Sequence, residues 1–551
     1  MKKIIILLLI SCLCFTACNE PINSNSGWAD IVLYNGNIIT VDNKFNVYEA
    51  IAIKNKKILN VGSNKVIKPL IGPHTILFDL NGKSVLPGFI DSHIHFLATI
   101  ETSKYIDVKA DNIKTFNNLL IKIKEKVLRT NSGEWIIGFG WDQDKILWPE
   151  KRTYKWPTKE DLDKVAKNNP VILYRIGGHS VVVNSLALKI ANIDKNTKNP
   201  AGGEIVKYKN GELTGILKET AINLVSQVIP KINITFSELE KYCYLALSNG
   251  LTNIEEANLT INALNFYKEA LQNKKLLIRV NALINSKELD YLIENNIQSP
   301  YDVIDRWLRI CGVKFFADGA LGERTAALRE PYADDLENKG MLINSEDWFI
   351  NMFTRAHSNG IQTATHSIGD LASEIILSAN YISYRNLGKK LGTYRDRIEH
   401  CQVLSPDLIE RFKKQNMLAS IQFSFWSSDK AWAEKRLGKE RLKYAYAWNE
   451  LLKKNILISG GTDAPVETYI PLEGLENIVK DSNVPIKEAI KFYTYNAAYA
   501  SFQEKYLGSL EKGKIADIIV LNNNILKTLK EDISDLQVIM TILDGKIVYR
   551  Q

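Results

Sequence analysis

Gly88-Phe89-Ile90-Asp91-Ser92-His93-Ile94-His95 is the stretch from which the fold is read. It is short and apolar at its start, and it ends on two histidines two residues apart. Strand residues two apart share a face, so both imidazoles leave the end of this predicted strand together. Downstream, the chain repeats a unit of helix, turn and short apolar strand. Ser237–Ser248 reads as a helix closed by Asn249-Gly250 and followed by a strand at Leu251–Glu255. Ser345–Ser358, Asn359-Gly360 and Ile361–His366 repeat the pattern, and Ser405-Pro406 opens a further helix, proline being suited to a first helical position. Glycine after a helix and an apolar run next are stop and start signals of βα units. Eight parallel strands are predicted: Gly88–His95, Leu251–Glu255, Arg279–Leu283, Val313–Phe316, Ile361–His366, Arg397–His400, Leu418–Phe423 and Ile456–Asp463. Eight such units imply an α/β protein built on a TIM (β/α)8 barrel, whose active site lies at the C-terminal ends of the strands.

Working outward, residues 101–231 fall outside that count and carry strands of their own at Trp135–Phe139 and Val171–Tyr174. They read as a large insertion after strand 1, over the barrel mouth, where loops carry specificity. Both chain ends are rich in short strands and tight turns. Ile31–Tyr34, Asn35-Gly36 and Ile38–Val41 read as a hairpin, because Asn-Gly between apolar runs is a strong hairpin signal. Ala516–Leu521, Val538–Leu543, Asp544-Gly545 and Lys546–Tyr549 answer it at the other end. The expectation is one small β-sandwich domain built from residues 28–86 and 506–551, around a barrel domain of 87–505.

The first 27 residues are of another kind. Lys2-Lys3 precedes an apolar run from Ile4 that reaches Phe15-Thr16-Ala17-Cys18. A basic start, a short apolar run and small residues before a cut describe a secretory signal, here residues 1–17. The ending resembles a bacterial lipobox, which implies cleavage before Cys18 and lipidation of it. Residues 18–27 are polar and suit a tether. The protein is therefore expected to be exported and lipid-anchored to a bacterial cell membrane, on the periplasmic or extracytoplasmic face. With Cys18 acylated, Cys243, Cys311 and Cys401 remain, an odd number without CxxC spacing. No disulfide framework is implied, so a large core has to hold the fold. The 551 residues are 45% hydrophobic and 24% charged, which is globular rather than disordered. The net charge of +8 is weak for this length and has no basic block, so nucleic-acid binding is disfavoured.

Four of the seven histidines end or nearly end predicted barrel strands: His93, His95, His366 and His400. Two imidazoles on one strand face at a barrel rim can chelate an ion, as neutral nitrogen donors suited to zinc and similar metals. Ile458-Ser459-Gly460-Gly461-Thr462-Asp463 adds a carboxylate, with Ser459 and Gly461 on its face leaving room for an ion and a water. Lys314 puts an ammonium in an apolar strand, where charge is costly unless paired or lost. Each residue alone reads equally as a satisfied polar group; such coincidences at five separate strand ends do not. Beyond these, His179, Asn184, Arg175 and the Gly140-Trp141-Asp142 turn read either as substrate contacts or as support for the insertion. Asp318 and Arg324, just past the fourth strand, read either as rim residues or as a salt bridge. Tryptophans at 135, 141, 148 and 156, and at 426, 432 and 448, would favour a bulky or apolar substrate group at the mouth, or pack the insertion's own core.

PGFIDSHIH, the Lys314 strand, the two later histidines and the last-strand Asp463 resemble the amidohydrolase superfamily. VKFFADGALGERTAAL, THSIGD, RIEHCQ, GTDAPVE and GGHSVVVNSLAL resemble its amidohydrolase-3 branch, the group that includes N-substituted formamide deformylases, over nearly all the mature chain. The resemblance implies His93, His95, His366, His400 and Asp463 as ligands of a divalent metal, zinc by its donors, as one or two ions. It implies Lys314 as a carbamylated bridge where there are two. A metal-bound hydroxide would attack a carbonyl-like carbon of a small-molecule substrate, with Asp463 passing the proton to the leaving nitrogen. The implied activity is hydrolysis of a non-peptide C–N bond in an amide, N-formyl or N-acyl compound. Hydrolysis of a cyclic amide, lactone or amidine is the alternative, as is a metal- or solute-binding lipoprotein without turnover.

The leader yields a direct test. Cys18→Ala is expected to move the protein from the membrane fraction to a soluble exported fraction, measured by fractionation and by mass spectrometry of the N-terminus. Unchanged membrane association with no acyl chain on the wild type would refute lipidation.

Overall fold

A computed structural model describes residues 27–152 and 154–551; the leader, the expected cleavage site and Cys18 lie outside the described residues. Eight parallel strands form the centre, here numbered β1 (Phe89–Ile94), β2 (Leu251–Leu259), β3 (Arg279–Asn285), β4 (Leu308–Phe316), β5 (Thr363–Ser367), β6 (Arg397–His400), β7 (Leu418–Gln422) and β8 (Ile458–Gly461). Each is hydrogen-bonded to the next in chain order. The last meets the first through the amides of Thr462 and Asp463, which donate to the His93 carbonyl at 3.2 and 2.7 Å. All eight predicted strands are present, and the barrel is nearly closed.

Outward-facing residues such as Ile254, Val280, Val313, Phe315, Ile398 and Ile421 are buried under helix residues including Leu247, Phe353, Ala356 and Ile376. Burying a side chain of this size contributes roughly 1.5–3 kcal/mol, and the cluster is large, which is how the fold stands without a disulfide among the described residues. The three described cysteines are free and buried. The helix before β2 spans Phe236–Ser248, one residue earlier than expected. Its cap is Thr235, whose side chain accepts from the Glu238 amide while Glu238 reaches back, a capping box.

The chain ends make two facing sheets. A four-stranded sheet orders Lys57–Gly62, Ala50–Lys54, Ile31–Tyr34 and Ile76–Asp79. A six-stranded sheet orders Lys546–Arg550, Val538–Leu543, Ile518–Leu521, Ser84–Pro87, Asn37–Ile39 and Val47–Tyr48, and so joins both ends of the chain. Ile31, Leu33 and Ile53 of the first pack on Val85, Ile518 and Ile542 of the second. The expected Asn35-Gly36 hairpin is corrected by this arrangement. Ile31–Tyr34 pairs with Ala50–Lys54 and Ile76–Asp79, whereas Asn37–Ile39 pairs with Val47–Tyr48 and Ser84–Pro87. The dipeptide does turn tightly, with Asn35 at φ 56°, but it carries the chain from one sheet to the other. A turn signal is local, whereas pairing is decided by which sheet buries each apolar face. Asp544-Gly545, with φ of 53° and 76°, is the hairpin it was read to be.

The insertion is a six-stranded mixed sheet ordered Gly203–Lys207, Leu213–Glu219, Ser180–Val183, Val171–Arg175, Ile136–Trp141 and Ile106–Asp107. It has an apolar cluster of its own on each face. Trp141, Trp148 and Trp156 belong to one cluster and Trp135 packs against the other. These four therefore serve the insertion's core rather than a substrate.

Arg279 at the start of β3 fastens the barrel to the C-terminal sheet. Its guanidinium donates to Asp517 at 2.7 and 3.2 Å and to Asp544 at 3.3 Å, and lies 4.7 Å over the Trp307 ring. Arg279 and Asp517 are both buried. Removing one partner of a buried pair leaves an uncompensated charge and costs about 3–5 kcal/mol. Asp517→Ala is expected at the lower end, about 3 kcal/mol by urea unfolding, because Asp544 remains; a loss under about 1 kcal/mol would show the clamp to be unimportant.

Candidate metal centre and active site

The ends of five barrel strands converge on one cavity of about 360 Å³, lined by His93, His95, Lys314, His366, His400 and Asp463. The ligand atoms of His93, His95 and Asp463 lie within 4.8 Å of one another. His95 Nε2 is 3.2 Å and His93 Nε2 3.5 Å from Asp463 Oδ1. The His400 ring is centred 4.9 Å from that of His93 and 4.5 Å from that of His366.

Each imidazole has one nitrogen taken by an acceptor. His95 Nδ1 donates to the Ala257 carbonyl at 3.0 Å and His400 Nδ1 to Gln422 Oε1 at 2.6 Å. His366 Nε2 donates to the Gly319 carbonyl at 3.0 Å. His93 Nδ1 contacts the Glu399 carboxylate. A ring whose proton is held on one side presents a bare nitrogen on the other, which is the state a metal requires. Two atoms of the cluster, His93 Nε2 and Lys314 Nζ, are buried without any hydrogen-bond partner. Orphaned polar atoms of this kind demand an explanation, and a divalent ion among neutral imidazoles and a carboxylate supplies it. The residues fit a metal.

Electrostatics favour the same state. Burial, with help from Lys314, pulls His93 down to about 4 against the pull of Glu399 and Asp463. Burial likewise keeps His366 and His400 well below the usual imidazole range. Burial alone would raise Asp463, but the hydrogen bond from His95 holds it well below the carboxylate range, and against burial the same bond lifts His95 above the usual imidazole value. Burial draws the Lys314 ammonium down to about 8, against Glu399 and Asp463.

Two backbone features could not be read from spacing. Arg397 and Glu399 point into the barrel, so strict alternation sends His400 outward with Ile398. His400 instead joins the cluster because its φ is 76°. Asp463 also has a left-handed φ, 57°. Strain in non-glycine residues gathers at functional sites. Gly461 was expected to leave room for an ion and a water. A Cβ there would lie 2.6 Å from the His93 amide nitrogen, so the space is filled by the backbone of β1.

Of the weaker candidates, Asp142, Arg175 and His179 line a second cavity of about 210 Å³, which adjoins the first and shares His179, His366, His400 and Asp463 with it. Arg175 pairs there with Asp142 at 3.2 Å and Glu323 at 2.9 Å. His179 Nδ1 donates to Glu219 at 2.8 Å. The other four do not line either cavity. Trp141 is buried and donates to the Leu173 carbonyl. Asn184 caps the helix Ser185–Ile190, and its amide is consumed by the carbonyls of Ala166 and Asn169. Asp318 accepts the amides of Ala327, Ile368 and Gly369, which ties the loops behind His366. Arg324 pairs with Asp334 at 2.8 Å. Of the later tryptophans, Trp432 lines the second cavity and Trp448 is buried in the core. His357 lies buried between Ser383 and Asp396, away from both cavities, and His74 is exposed.

Sequence reasoning missed Arg397, Glu399, Glu255, Gln422 and Phe425. Phe425 stacks on the His400 ring at 5.9 Å and walls the second cavity. Arg397 and Glu399 had a signal: two charges at strand spacing inside a short strand otherwise destined for burial. Tyr105, Phe139, Tyr174 and Phe316 make the first cavity partly aromatic.

Known proteins resemble the chain over most of its length. A family model described as the amidohydrolase family matches residues 77–549. The chain is 33% identical over 546 residues to the Bacillus subtilis protein YtcJ, covering 94% of this chain and 99% of that one. It is 26% identical over 557 residues to an N-substituted formamide deformylase of Arthrobacter pascens, covering 95% and 98%. Among solved structures, an uncharacterized metal-dependent hydrolase of Pyrococcus horikoshii OT3 superposes with a TM-score of 0.71 at 29% identity, covering 91% and 99%.

Gly461 offers a test of the closure between β8 and β1. Gly461→Ala is expected to push the His93 backbone aside, costing about 1–3 kcal/mol of stability and lowering metal content, by thermal melting and elemental analysis. A glycine-to-alanine change at an uncrowded strand site would be stabilising, so an unchanged or raised melting temperature would refute the contact.

Proposed function

The chain belongs to the amidohydrolase family, a family of metal-dependent hydrolases, and from that premise we propose that it hydrolyses a non-peptide C–N bond in an amide, N-formyl or N-acyl compound. The observation that carries this reading is the convergence of His93, His95, His366, His400, Asp463 and Lys314 on one cavity. The bond class is supported by the formamide deformylase among the relatives.

His93, His95, His366, His400 and Asp463 would hold the metal, for which four imidazoles and a carboxylate favour zinc. When bound, one or two such ions supply Lewis acidity, polarising a carbonyl oxygen and lowering the pKa of water towards neutrality. Asp463, kept ionised by its histidine neighbours, accepts a proton from the attacking water. As the C–N bond breaks it delivers that proton to the leaving nitrogen, so an amine and a carboxylic acid depart. Lys314, buried and unpaired, disfavours its own ammonium form. Its free amine would add carbon dioxide and lose a proton to give a carbamate, which would help to hold a second ion. Trp432 and Phe425 on one side, and Tyr105, Phe139 and Tyr174 on the other, exclude water from the two arms of a bound substrate. Export and lipid anchoring through Cys18, on the periplasmic or extracytoplasmic face of a bacterial membrane, complete the proposal, supported by the leader.

Zinc-reloaded protein is expected to release amine from members of a panel of N-formyl and N-acyl amines. Turnover of lactones alone would overturn the bond assignment. Lys314→Ala is expected to lower activity and the metal-to-protein ratio, by about one ion where the wild type holds two. Bicarbonate should aid reloading of the metal-free wild type and do nothing for the variant. Full activity with an unchanged metal ratio would remove Lys314 from the site.

A further inference from the structure

Glu399 belongs to none of the ligands, and the proposed chemistry does not use it. Its Oε2 contacts His93 Nδ1, and its Oε1 accepts from Arg397 Nε at 2.6 Å. The Arg397 guanidinium also pairs with Glu255 of β2 and donates to the Ser92 carbonyl of β1 at 2.9 Å. The side chains of His93, Glu399, Arg397 and Glu255 have no solvent exposure.

A buried carboxylate is costly unless it is paired and hydrogen-bonded. One arginine is shared between two carboxylates, and Glu399, with Oε1 held by Arg397, turns its other oxygen to the ring of His93. An imidazole with Nδ1 against a carboxylate carries its proton there, and the lone pair is left on Nε2. That Nε2 is the buried atom without a partner. The arrangement is also selective. His95, His366 and His400 use neutral acceptors, the Ala257 carbonyl, the Gly319 carbonyl and the Gln422 amide oxygen. Among the four, His93 alone has a carboxylate as the hydrogen-bond acceptor of its Nδ1, although Asp318 stands 3.6 Å from His366 Nε2, and the His93 ring adjoins those of His95 and His400.

We propose that Glu399 is a positioning residue for the metal centre: anchored by Arg397 and Glu255, it locks His93 in the Nδ1–H tautomer and leaves Nε2 bare as a preformed ligand. The chain of contacts runs from β2 through β6 to β1, so the ring is aimed by the barrel itself. This rests on His93 being a ligand, but it needs no substrate and no turnover, so it stands or falls separately from the assignment of the reaction.

The test reads the tautomer and the metal directly. Metal-free wild type with ¹⁵N-labelled histidine is expected to show His93 as the Nδ1–H tautomer in long-range proton–nitrogen spectra. In Glu399→Gln the two tautomers should mix, and zinc should pass from the loaded protein to a chelator about 10–100-fold faster, with the far-ultraviolet circular dichroism unchanged. Glu255→Gln should keep the tautomer and release zinc less rapidly than Glu399→Gln. Gln422→Ala, which removes the neutral acceptor of His400, should also have the smaller effect. A wild-type His93 found as the Nε2–H tautomer would overturn the proposal, as would a folded Glu399→Gln that holds zinc as long as the wild type. Should Glu399→Gln not fold, the tautomer in the wild type decides alone.

Discussion

The structure depends on how charge is kept inside the barrel. Arg397 sits fully buried between Glu255 and Glu399, and the pairing brings β2, β6 and β1 to a common centre. Ions moved from water into such a place pay several kcal/mol each, recovered only with good geometry and further hydrogen bonds. The interior around them is accordingly polar: Asn253 and Asn281 both bond Gln503, and Leu283, Cys311 and Ala364 make only a small apolar group. The apolar side chains that stabilise the fold lie on the outer faces of the strands, under the helices. Division of labour follows, with stability outside the barrel and chemistry within and above it.

That division frees the C-terminal strand ends for ligands. His93 and His95 leave β1 side by side, and closure of β8 on β1 brings Asp463 to them through the same His93 carbonyl that completes the barrel. Closure and site assembly are thus one event. The close approach needs a residue without a side chain at Gly461 and left-handed backbones at His400 and Asp463. Such conformations cost of order 1–3 kcal/mol each and persist where the surroundings over-determine them; here the barrel does so.

The insertion gives the site its shape. Its strand Val171–Arg175 and the segment to His179 reach the mouth, where His179 and Arg175 meet residues of the later barrel loops. The two adjoining cavities differ in character. One is walled by Tyr105, Phe139, Tyr174 and Phe316, the other by Phe425 and Trp432 with carboxylates and Arg175. A hydrolase must hold the two sides of the bond it breaks, and the shared residues His366, His400 and Asp463 stand where the cavities join.

The sequence by itself determined the barrel, because helix stops and short apolar strands are local signals, and eight such strands were legible. It also singled out residues that meet in the central cavity: the two-residue period carries His93 and His95 to one face, and an ammonium at Lys314 in an apolar strand is conspicuous. Only the tertiary structure decided the rest. Asn35-Gly36 turned as expected but joined two sheets, since strand pairing follows the burial of distant faces. Asn184 and Asp318 proved to be spent on backbone amides and carbonyls, which no motif reveals. His400 enters the cluster against its strand period, and Arg397 and Glu399 gain their meaning from Glu255 and His93, far away along the chain. Periodicity reports which face a residue takes; which charges must meet to be buried at all is settled only when the strands that carry them are brought together.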